Sequence, residues 1–339
     1  MPLYDIVIVG AGPSGLATAI AAKQRGLSAV VLEKDVLVNT LLHFPVNMIY
    51  FTTPELMEIG GLPFVTPYEK PTRVEALRYY RRVVETYDLA IRYHERVISI
   101  VQAGGGSDIR FTVRAETPEG DGREYRGRFV VIATGAFDLP NMLGVPGEDL
   151  SHVSHYYSEA HAYFKKQVVI VGGANSAADA ALDLYRSGAN VTLVHRGEDF
   201  SSSLKYWVRP DLENRVKEGA IKAWRQARVV AIRPKDVLIE TEGARHVLPA
   251  DAVLLLTGYR SDTTLFAAAG VTFDPVTSVP AFDAGTFETN VPGIFLAGAV
   301  ITGRNSGKIF IENGRFHGAE VVRLIHERLR MDVADPVRA

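Results

Sequence analysis

The chain has 339 residues, of which 47% are hydrophobic and 22% charged, which is typical of a folded globular protein and excludes an intrinsically disordered chain. The 37 basic and 39 acidic side chains nearly balance, so we do not expect the basic surface of a nucleic-acid-binding protein. The absence of cysteine excludes disulfide bonds, thiolate metal sites, cysteine nucleophiles and a redox-active cysteine pair.

The start of the chain does not look like a targeting segment. The first residues lack the basic region of a signal peptide, and the apolar run Ile6–Val9 is far too short to span a bilayer. We therefore expect a cytoplasmic protein without a membrane partner.

A dinucleotide-binding pattern follows at once. Its parts, in chain order, are an apolar strand, a glycine-rich turn, a helix, a second strand and an acid: 5–9, Gly10-Ala-Gly12-Pro13-Ser14-Gly15, 16–25, 29–32 and Glu33. Gly10 makes the tight turn, Gly12 lets the backbone approach a pyrophosphate, and Gly15 lets the helix pack on the strand. The helix N-terminus favours phosphate, and Glu33 can accept hydrogen bonds from both hydroxyls of a ribose.

The same pattern occurs a second time, with the same spacing. Its parts are 167–171, Gly172-Gly173-Ala174-Asn175-Ser176-Ala177, 178–186 and 190–194, and it ends on His195-Arg196. Ala174 replaces the middle glycine, which should move the backbone slightly away from a pyrophosphate, whereas Ala177 is a common variant of the third glycine. Two mononucleotide-binding units predict two bound dinucleotides.

The two patterns differ in the residue that ends the second strand. Glu33 favours a free 2′-hydroxyl, as in FAD, whereas Arg196 favours the 2′-phosphate of NADPH over NADH. Lys205, which follows three serines, would extend the phosphate site. The alternative is that Arg196 is only a solvated surface charge.

Three further apolar runs end in glycine turns: 129–135, 253–259 and 291–298. Each could be an ordinary buried strand, but the order of the first two fits the crossings between a flavin domain and an inserted nicotinamide domain. The stretch 309–328 predicts a helix. Its N-terminus near Lys308 and Ile309 would stabilise negative charge on a reduced flavin.

Segments along nearly the whole chain carry a family resemblance: 44–48, 52–60, 70–73, 153–157 and 310–318. With the two glycine patterns, they resemble the low-molecular-weight thioredoxin reductases and, within that class, the bacillithiol-disulfide reductases. The resemblance implies an α/β fold of two Rossmann-like domains. It places an FAD domain at 1–138 and 257–330, an inserted NADPH domain at 139–256 and a flexible tail at 331–339. It also implies a homodimer.

The chain departs from these families at three places. Thioredoxin reductases have a Cys-x-x-Cys pair where this chain has the stretch 156–159, so dithiol exchange with thioredoxin is excluded. Bacillithiol-disulfide reductases typically have a cysteine in the first glycine turn, where this chain has Ser14. Ala299 stands where an aspartate usually contacts the flavin ribityl chain.

The candidate cofactor residues form two sets. For FAD they are Gly10, Gly12, Pro13, Ser14, Gly15, Glu33, Lys34, Val97, Thr134, Gly135, Gly298, Ala299, Lys308 and Ile309. For NADPH they are Gly172, Gly173, Ala174, Asn175, Ser176, Ala177, His195, Arg196 and Lys205. No catalytic side chain is assigned, because the chemistry belongs to the flavin, and no metal site is expected.

Four hypotheses remain for the electron acceptor and the function. A low-molecular-weight disulfide fits the resemblance, and a ferredoxin-like or quinone acceptor needs no thiol. A flavin monooxygenase is a third possibility, because His152 and His155 follow Gly147 in a stretch loosely like the linker of those enzymes, although the spacing differs. A non-catalytic NADPH sensor is the fourth.

Overall fold

The computed structural model describes residues 2–103, 110–304 and 307–334, which form two compact units. Unit 1 comprises the residues up to Leu42, Met48–Leu139 and the residues from Tyr259. Unit 2 comprises Pro140–Gly258 and the short segment His43–Asn47, which the sequence had placed in the first domain.

The elements up to residue 140 are β1 (Leu3–Val9), α1 (Pro13–Gln24), β2 (Ala29–Leu32), α2 (Asn39–Leu42), α3 (Pro54–Met57), α4 (Arg73–Tyr87), β3 (Ile91–Arg92), β4 (Arg96–Gln102), β5 (Phe111–Glu116), β6 (Gly122–Ile132) and β7 (Leu139–Pro140). Those of the middle part are β8 (Val153–Ser154), a 3₁₀ turn (His161–Tyr163), β9 (Gln167–Val171), α5 (Asn175–Arg186), β10 (Asn190–Val194), α6 (Arg209–Lys217), β11 (Lys222–Trp224), β12 (Ala227–Arg233), β13 (Asp236–Thr241), β14 (Ala244–Pro249) and β15 (Ala252–Leu255). The last are β16 (Tyr259–Arg260), α7 (Thr263–Ala268), β17 (Ile294–Leu296), a 3₁₀ turn (Gly298–Thr302), α8 (Ile311–Gly314) and α9 (His317–Ala334).

Unit 1 is built on a sheet with the order β3-β2-β1-β6-β5-β4, and β17 pairs with β6. The central strand β1 is parallel to both β2 and β6. Its residues Ile6–Val9 are buried, as expected for a parallel strand covered on both faces. The long strand β6 also pairs with β5 in the antiparallel direction, so one strand joins the parallel and antiparallel parts of the sheet.

Unit 2 contains a second parallel sheet, with the order β11-β10-β9-β15-β8, and an antiparallel sheet of β12, β13 and β14. The arrangement of β9 between β10 and β15 repeats that of β1 between β2 and β6. In both sheets a glycine turn follows the central strand. The predicted internal repeat therefore corresponds to a repeated strand arrangement.

The C-terminal helix differs from the prediction. In place of one helix over 309–328 there are two, α8 and α9, separated at Arg315 and Phe316. At this break the guanidinium of Arg315 donates to the backbone oxygens of Glu55 and Glu58. Helix α9 also extends to Ala334, into the part expected to be a flexible tail. Residues 335–339 of that tail lie outside the described residues.

Within the described ranges, no helix is both long enough and apolar enough to cross a membrane.

Candidate functional site

The first glycine turn lies directly after β1 and is held by close backbone contacts. Gly10 has a φ of +107°, and a Cβ on it would lie 2.6 Å from the carbonyl oxygen of Ala133. A Cβ on Gly15 would lie 1.9 Å from the carbonyl oxygen of Gly10. The turn therefore requires glycine at both positions for its own packing, as the sequence predicted.

Gly12 differs from the other two glycines of the turn because none of the described residues fills the space beside it. Its φ is −76°, which any residue can adopt, and a Cβ there would meet no atom of those residues within 4 Å. Gly12 is also the N-cap of α1, and within the described ranges no side chain caps this helix end. Open space next to free N–H groups is the environment that a pyrophosphate needs, so this turn fits the FAD expected from the sequence.

Glu33 lies at the end of β2, next to this turn, and is only 6% exposed. Its two carboxylate oxygens accept hydrogen bonds from the backbone amides of Ala11 (2.8 Å) and Asp35 (3.0 Å). Burial raises the pKa of the carboxyl above its usual range, and the two amide donors partly oppose this. The amides fix the direction of the carboxylate, and its remaining lone pairs are those that could accept from a ribose.

Ser14 lies at the start of α1, against the backbone of the C-terminal segment. A Cβ on Gly298 would lie 2.3 Å from the Ser14 hydroxyl oxygen, and Gly298 has a φ of +79°. The N–H of Gly298 donates to Nδ1 of His317 at 3.2 Å. Gly298 is thus tied to α9 on one side and packed on the first glycine turn on the other.

The other residues expected to bind FAD lie in unit 1, in different settings. Lys34 forms an ion pair of 2.6 Å with Asp138. Val97 lies on β4, at a register shift opposite Ala115. Thr134 and Gly135 follow β6, and Ala299 lies in the 3₁₀ turn after β17.

The structure corrects the prediction that a long helix begins near Lys308 and Ile309. Both residues precede α8, which has only four residues, so it cannot have the dipole of a long helix. The long helix α9 begins eight residues or more further along, at His317. What lies near Lys308 is a side-chain cap: the Asn313 amide donates to the Lys308 carbonyl oxygen and accepts from the Phe310 N–H.

The second glycine turn repeats the backbone geometry of the first. Gly172 has a φ of +154°, and a Cβ there would lie 2.5 Å from the carbonyl oxygen of Leu256, as one on Gly10 would approach Ala133. Ala174 takes the N-cap position of α5, its side chain is exposed, and this helix end also lacks a side-chain cap. Ala177 is buried under the turn. The turn fits a second dinucleotide through the amides of α5, including that of Ser176.

His195 has a structural contact that the sequence did not suggest. A Cβ on Gly173 would lie 2.2 Å from Nδ1 of His195, so the imidazole lies directly against this glycine. Nε2 of the same ring hydrogen-bonds with the carbonyl oxygen of Asp199 at 2.9 Å. The ring therefore joins the glycine turn to the loop after β10. Arg196, the next residue, is exposed.

Two residues expected to bind NADPH have their polar groups bonded within the protein. The Asn175 side chain accepts from the N–H of Lys205 at 2.9 Å and donates to the carbonyl oxygen of Ser203 at 3.0 Å. The Lys205 ammonium forms an ion pair of 3.0 Å with Asp179 on α5. A phosphate at this site would share the Lys205 ammonium with Asp179.

Sequence reasoning missed the contact of His317 with Gly298, the ion pair of Asp138 with Lys34 and the assignment of His43–Asn47 to unit 2. A histidine next to a glycine at the start of a helical stretch, as in His317-Gly318, gives no signal of a partner, and the Gly298 contact is visible only in the fold. Across the described part of the chain, no group of three or more histidine or acidic side chains could hold a metal ion.

Known proteins resemble this chain over nearly its whole length. The pattern of a family described as pyridine nucleotide-disulphide oxidoreductase matches residues 7–298. A bacilliredoxin reductase, Bdr, of Bacillus subtilis strain 168 is 40% identical over 95% of this chain and 97% of its own. The solved structure of the bacillithiol disulfide reductase Bdr (YpdA) from Bacillus cereus is 38% identical, with a TM-score of 0.93 over 96% of this chain and all of that one. A ferredoxin–NADP reductase of Ignicoccus hospitalis is 27% identical over 88% of this chain and 90% of its own.

These similarities confirm the thioredoxin reductase-like fold of two Rossmann-like units that was expected from the sequence. They also confirm the oxidoreductase class and its FAD and NADPH cofactors. The chain belongs to the pyridine nucleotide-disulphide oxidoreductase family.

Proposed function

We propose that the protein takes electrons from NADPH, bound by unit 2, and passes them through FAD, bound by unit 1, to a low-molecular-weight disulfide of the bacillithiol type. The observation that carries the assignment of the two nucleotides is the contrast between two equivalent strand ends. Glu33, which is buried, directly follows β2, whereas Arg196, which is exposed, lies two residues after the end of β10. A carboxylate selects a free 2′-hydroxyl, and a guanidinium selects a 2′-phosphate.

The residues around the first turn would hold the FAD. The free amides at the start of α1 would bind the pyrophosphate in the space beside Gly12, and Glu33 would accept from the ribose. Bound FAD supplies the capacity to accept a hydride and to release its two electrons to another acceptor. The protein side chains bind and orient the cofactor.

The choice of a disulfide acceptor rests on the relatives named as bacilliredoxin reductase and bacillithiol disulfide reductase. The overall reaction balances as NADPH, a proton and one disulfide giving NADP⁺ and two thiols. Because the chain has no cysteine, it has no thiol that could form a mixed disulfide. The S–S bond would therefore be reduced without a covalent protein intermediate.

A ferredoxin-like or quinone acceptor is the second candidate. The observation that favours it is Ser14, which stands where the bacillithiol-disulfide reductases have their cysteine. A serine hydroxyl cannot replace a thiolate as a sulfur nucleophile near neutral pH. The relative from Ignicoccus hospitalis is named a ferredoxin–NADP reductase.

Anaerobic stopped-flow spectroscopy separates these candidates. The yellow flavin is bleached with one equivalent of NADPH and then mixed with oxidised bacillithiol, a reducible ferredoxin, a quinone or buffer. We expect rapid return of the yellow colour with the disulfide. Return only with ferredoxin or quinone would assign the second function, and no return with any of these acceptors would indicate a sensor.

A homodimer and a cytoplasmic location are further parts of this proposal. Light scattering of the purified protein tests the first, because a dimer has twice the chain mass of 37.1 kDa. Fractionation of the source cells tests the second.

A further inference from the structure

We propose that Arg225 is the second cation of the 2′-phosphate site, beside Arg196, and that it sets the preference for NADPH over NADH. This inference rests on the proposed binding of NADPH by unit 2. The sequence offers one arginine directly after β10, which is a weak signal for a doubly charged phosphate. The fold brings a second arginine to the same edge from the neighbouring strand.

The backbone places the two arginines next to each other. Strand β11 is parallel to β10, with Val194 opposite Trp224, so the carboxyl ends of both strands lie at one edge. Beyond the strands the pairing continues in three hydrogen bonds. The N–H of His195 donates to Trp224 O (2.8 Å), that of Ala227 to His195 O (3.0 Å) and that of Gln226 to Gly197 O (3.0 Å). Arg196 and Arg225 therefore lie on two adjoining, hydrogen-bonded segments.

Aromatic packing directs the side chain of Arg225. Its guanidinium carbon lies 5.0 Å from the centre of the Phe200 ring, which is a cation–π contact. Phe200 is 4% exposed, and its ring lies near that of His195, with the centres 6.2 Å apart and the planes 30° from parallel. The guanidinium is thus held against the loop that carries Arg196, and the Arg225 side chain is 41% exposed, so an anion in solvent can reach it.

Two other cationic side chains of this region are bonded to groups of the protein. Arg209 donates to the carbonyl oxygens of Phe200 and Ser201 and pairs with Glu213 at 2.9 Å. Lys205 is paired with Asp179. The ion pair that the structure gives for Arg225 is a long one, 3.8 Å from Nη2 to Oδ1 of Asp199.

The carboxylate of Asp199 lies near Arg225 and disfavours binding of a phosphate there, which supplies a second test. Its Oδ1 accepts from the Phe200 N–H at 2.7 Å, and its Oδ2 lies 3.3 Å from Arg209. The carboxylate would repel a phosphate and compete for Arg225. Removing its charge should therefore strengthen binding of a 2′-phosphate, provided that Arg225 is part of the site.

The test measures binding of nucleotide fragments to the holoenzyme by isothermal titration calorimetry, without turnover. The probes are 2′,5′-ADP, which has the 2′-phosphate, and 5′-AMP, which lacks it. We expect Arg225→Gln to raise the Kd of 2′,5′-ADP about tenfold and to leave that of 5′-AMP unchanged. Arg225→Lys should have an intermediate effect, and Asp199→Asn should lower the Kd of 2′,5′-ADP several-fold.

Arg228→Gln is the matched control, because Arg228 is an exposed arginine of β12, three residues further along, that pairs with Glu240. It should change neither Kd. Unchanged binding of 2′,5′-ADP in Arg225→Gln, or equal losses with both probes, overturns the proposal for Arg225. If the wild-type enzyme itself does not prefer 2′,5′-ADP, the NADPH assignment fails instead. Melting temperatures of all variants show whether the fold is intact.

Discussion

The hydroxyl of Ser14 donates a hydrogen bond to the backbone oxygen of Gly314 at 3.3 Å, which joins the first glycine turn to the C-terminal segment of unit 1. The same hydroxyl lies close to Gly298, where a Cβ would approach it to 2.3 Å. Ser14 therefore occupies a site enclosed by two glycine backbones. The family resemblance implies a cysteine at this position in the bacillithiol-disulfide reductases, so substitution of Ser14 tests the acceptor directly.

We expect Ser14→Cys to accelerate flavin reoxidation by a bacillithiol-type disulfide, because a thiolate can attack sulfur and a hydroxyl cannot. An increase of about tenfold or more in the stopped-flow rate would show that the site still binds the disulfide. Ser14→Ala is the control. It removes one long hydrogen bond, for which we expect a loss of only about 1 kcal/mol in the free energy of unfolding and an unchanged reoxidation rate. A large loss in the rate of flavin reoxidation in Ser14→Ala would contradict this prediction, because it would give the serine hydroxyl a chemical role.

The second and third glycines of the first turn, Gly12 and Gly15, should respond differently to substitution by alanine. Gly12→Ala places a methyl group in open space with a permitted backbone, so we expect normal folding but FAD binding at least tenfold weaker, because the methyl group occupies the pyrophosphate position. Gly15→Ala forces a methyl group against the Gly10 carbonyl oxygen and should cost about 3 kcal/mol or more of stability. Circular dichroism melting of flavin-free protein and fluorescence titration with FAD measure the two effects. Tight FAD binding by Gly12→Ala would place the pyrophosphate elsewhere.

The selectivity for NADPH gives a third prediction. Because Arg196 is exposed, Arg196→Gln should leave the fold intact and weaken NADPH binding about tenfold or more, with little effect on NADH. The measurement is the nucleotide dependence of flavin bleaching. Arg186→Gln is a matched control on α5, since Arg186 pairs with Asp211 and should affect neither nucleotide. Equal losses with NADPH and NADH in Arg196→Gln would refute the 2′-phosphate assignment.

Features of the fold that depend on residues close together in the chain were predicted from the sequence. Contacts between residues far apart in the chain were missed. Both glycine turns and their flanking strands follow from local periodicity and from glycine geometry, so Gly10 and Gly172 lie where expected. At the break between α8 and α9, Arg315 donates to the backbone of Glu55 and Glu58, residues more than 250 positions away that no local pattern reports. The ion pair of Lys205 with Asp179 was missed for the same reason: a basic residue near a phosphate-binding loop has the same sequence signal whether or not an acid neutralises it.

A pH dependence of stability is expected from the contact between His317 and Gly298. Nδ1 of His317 accepts the Gly298 N–H and must be unprotonated to do so, and burial lowers the pKa of this histidine below its ordinary value of 6.5. The unfolded chain therefore binds the proton more readily than the folded one. The stabilisation is complete above pH 6.5 and is lost as the pH falls toward the lowered pKa of the folded protein.

His317→Gln tests this prediction, because a glutamine amide oxygen can accept the same N–H but does not titrate in this range. We expect the melting temperature of the wild-type protein to fall more steeply than that of the variant between about pH 7 and 5, with the two curves differing least in slope above pH 7. Parallel curves throughout would mean that His317 does not contribute to the acid sensitivity. His326→Gln is the control, because His326 lies on the same helix, α9, about two and a half turns beyond His317.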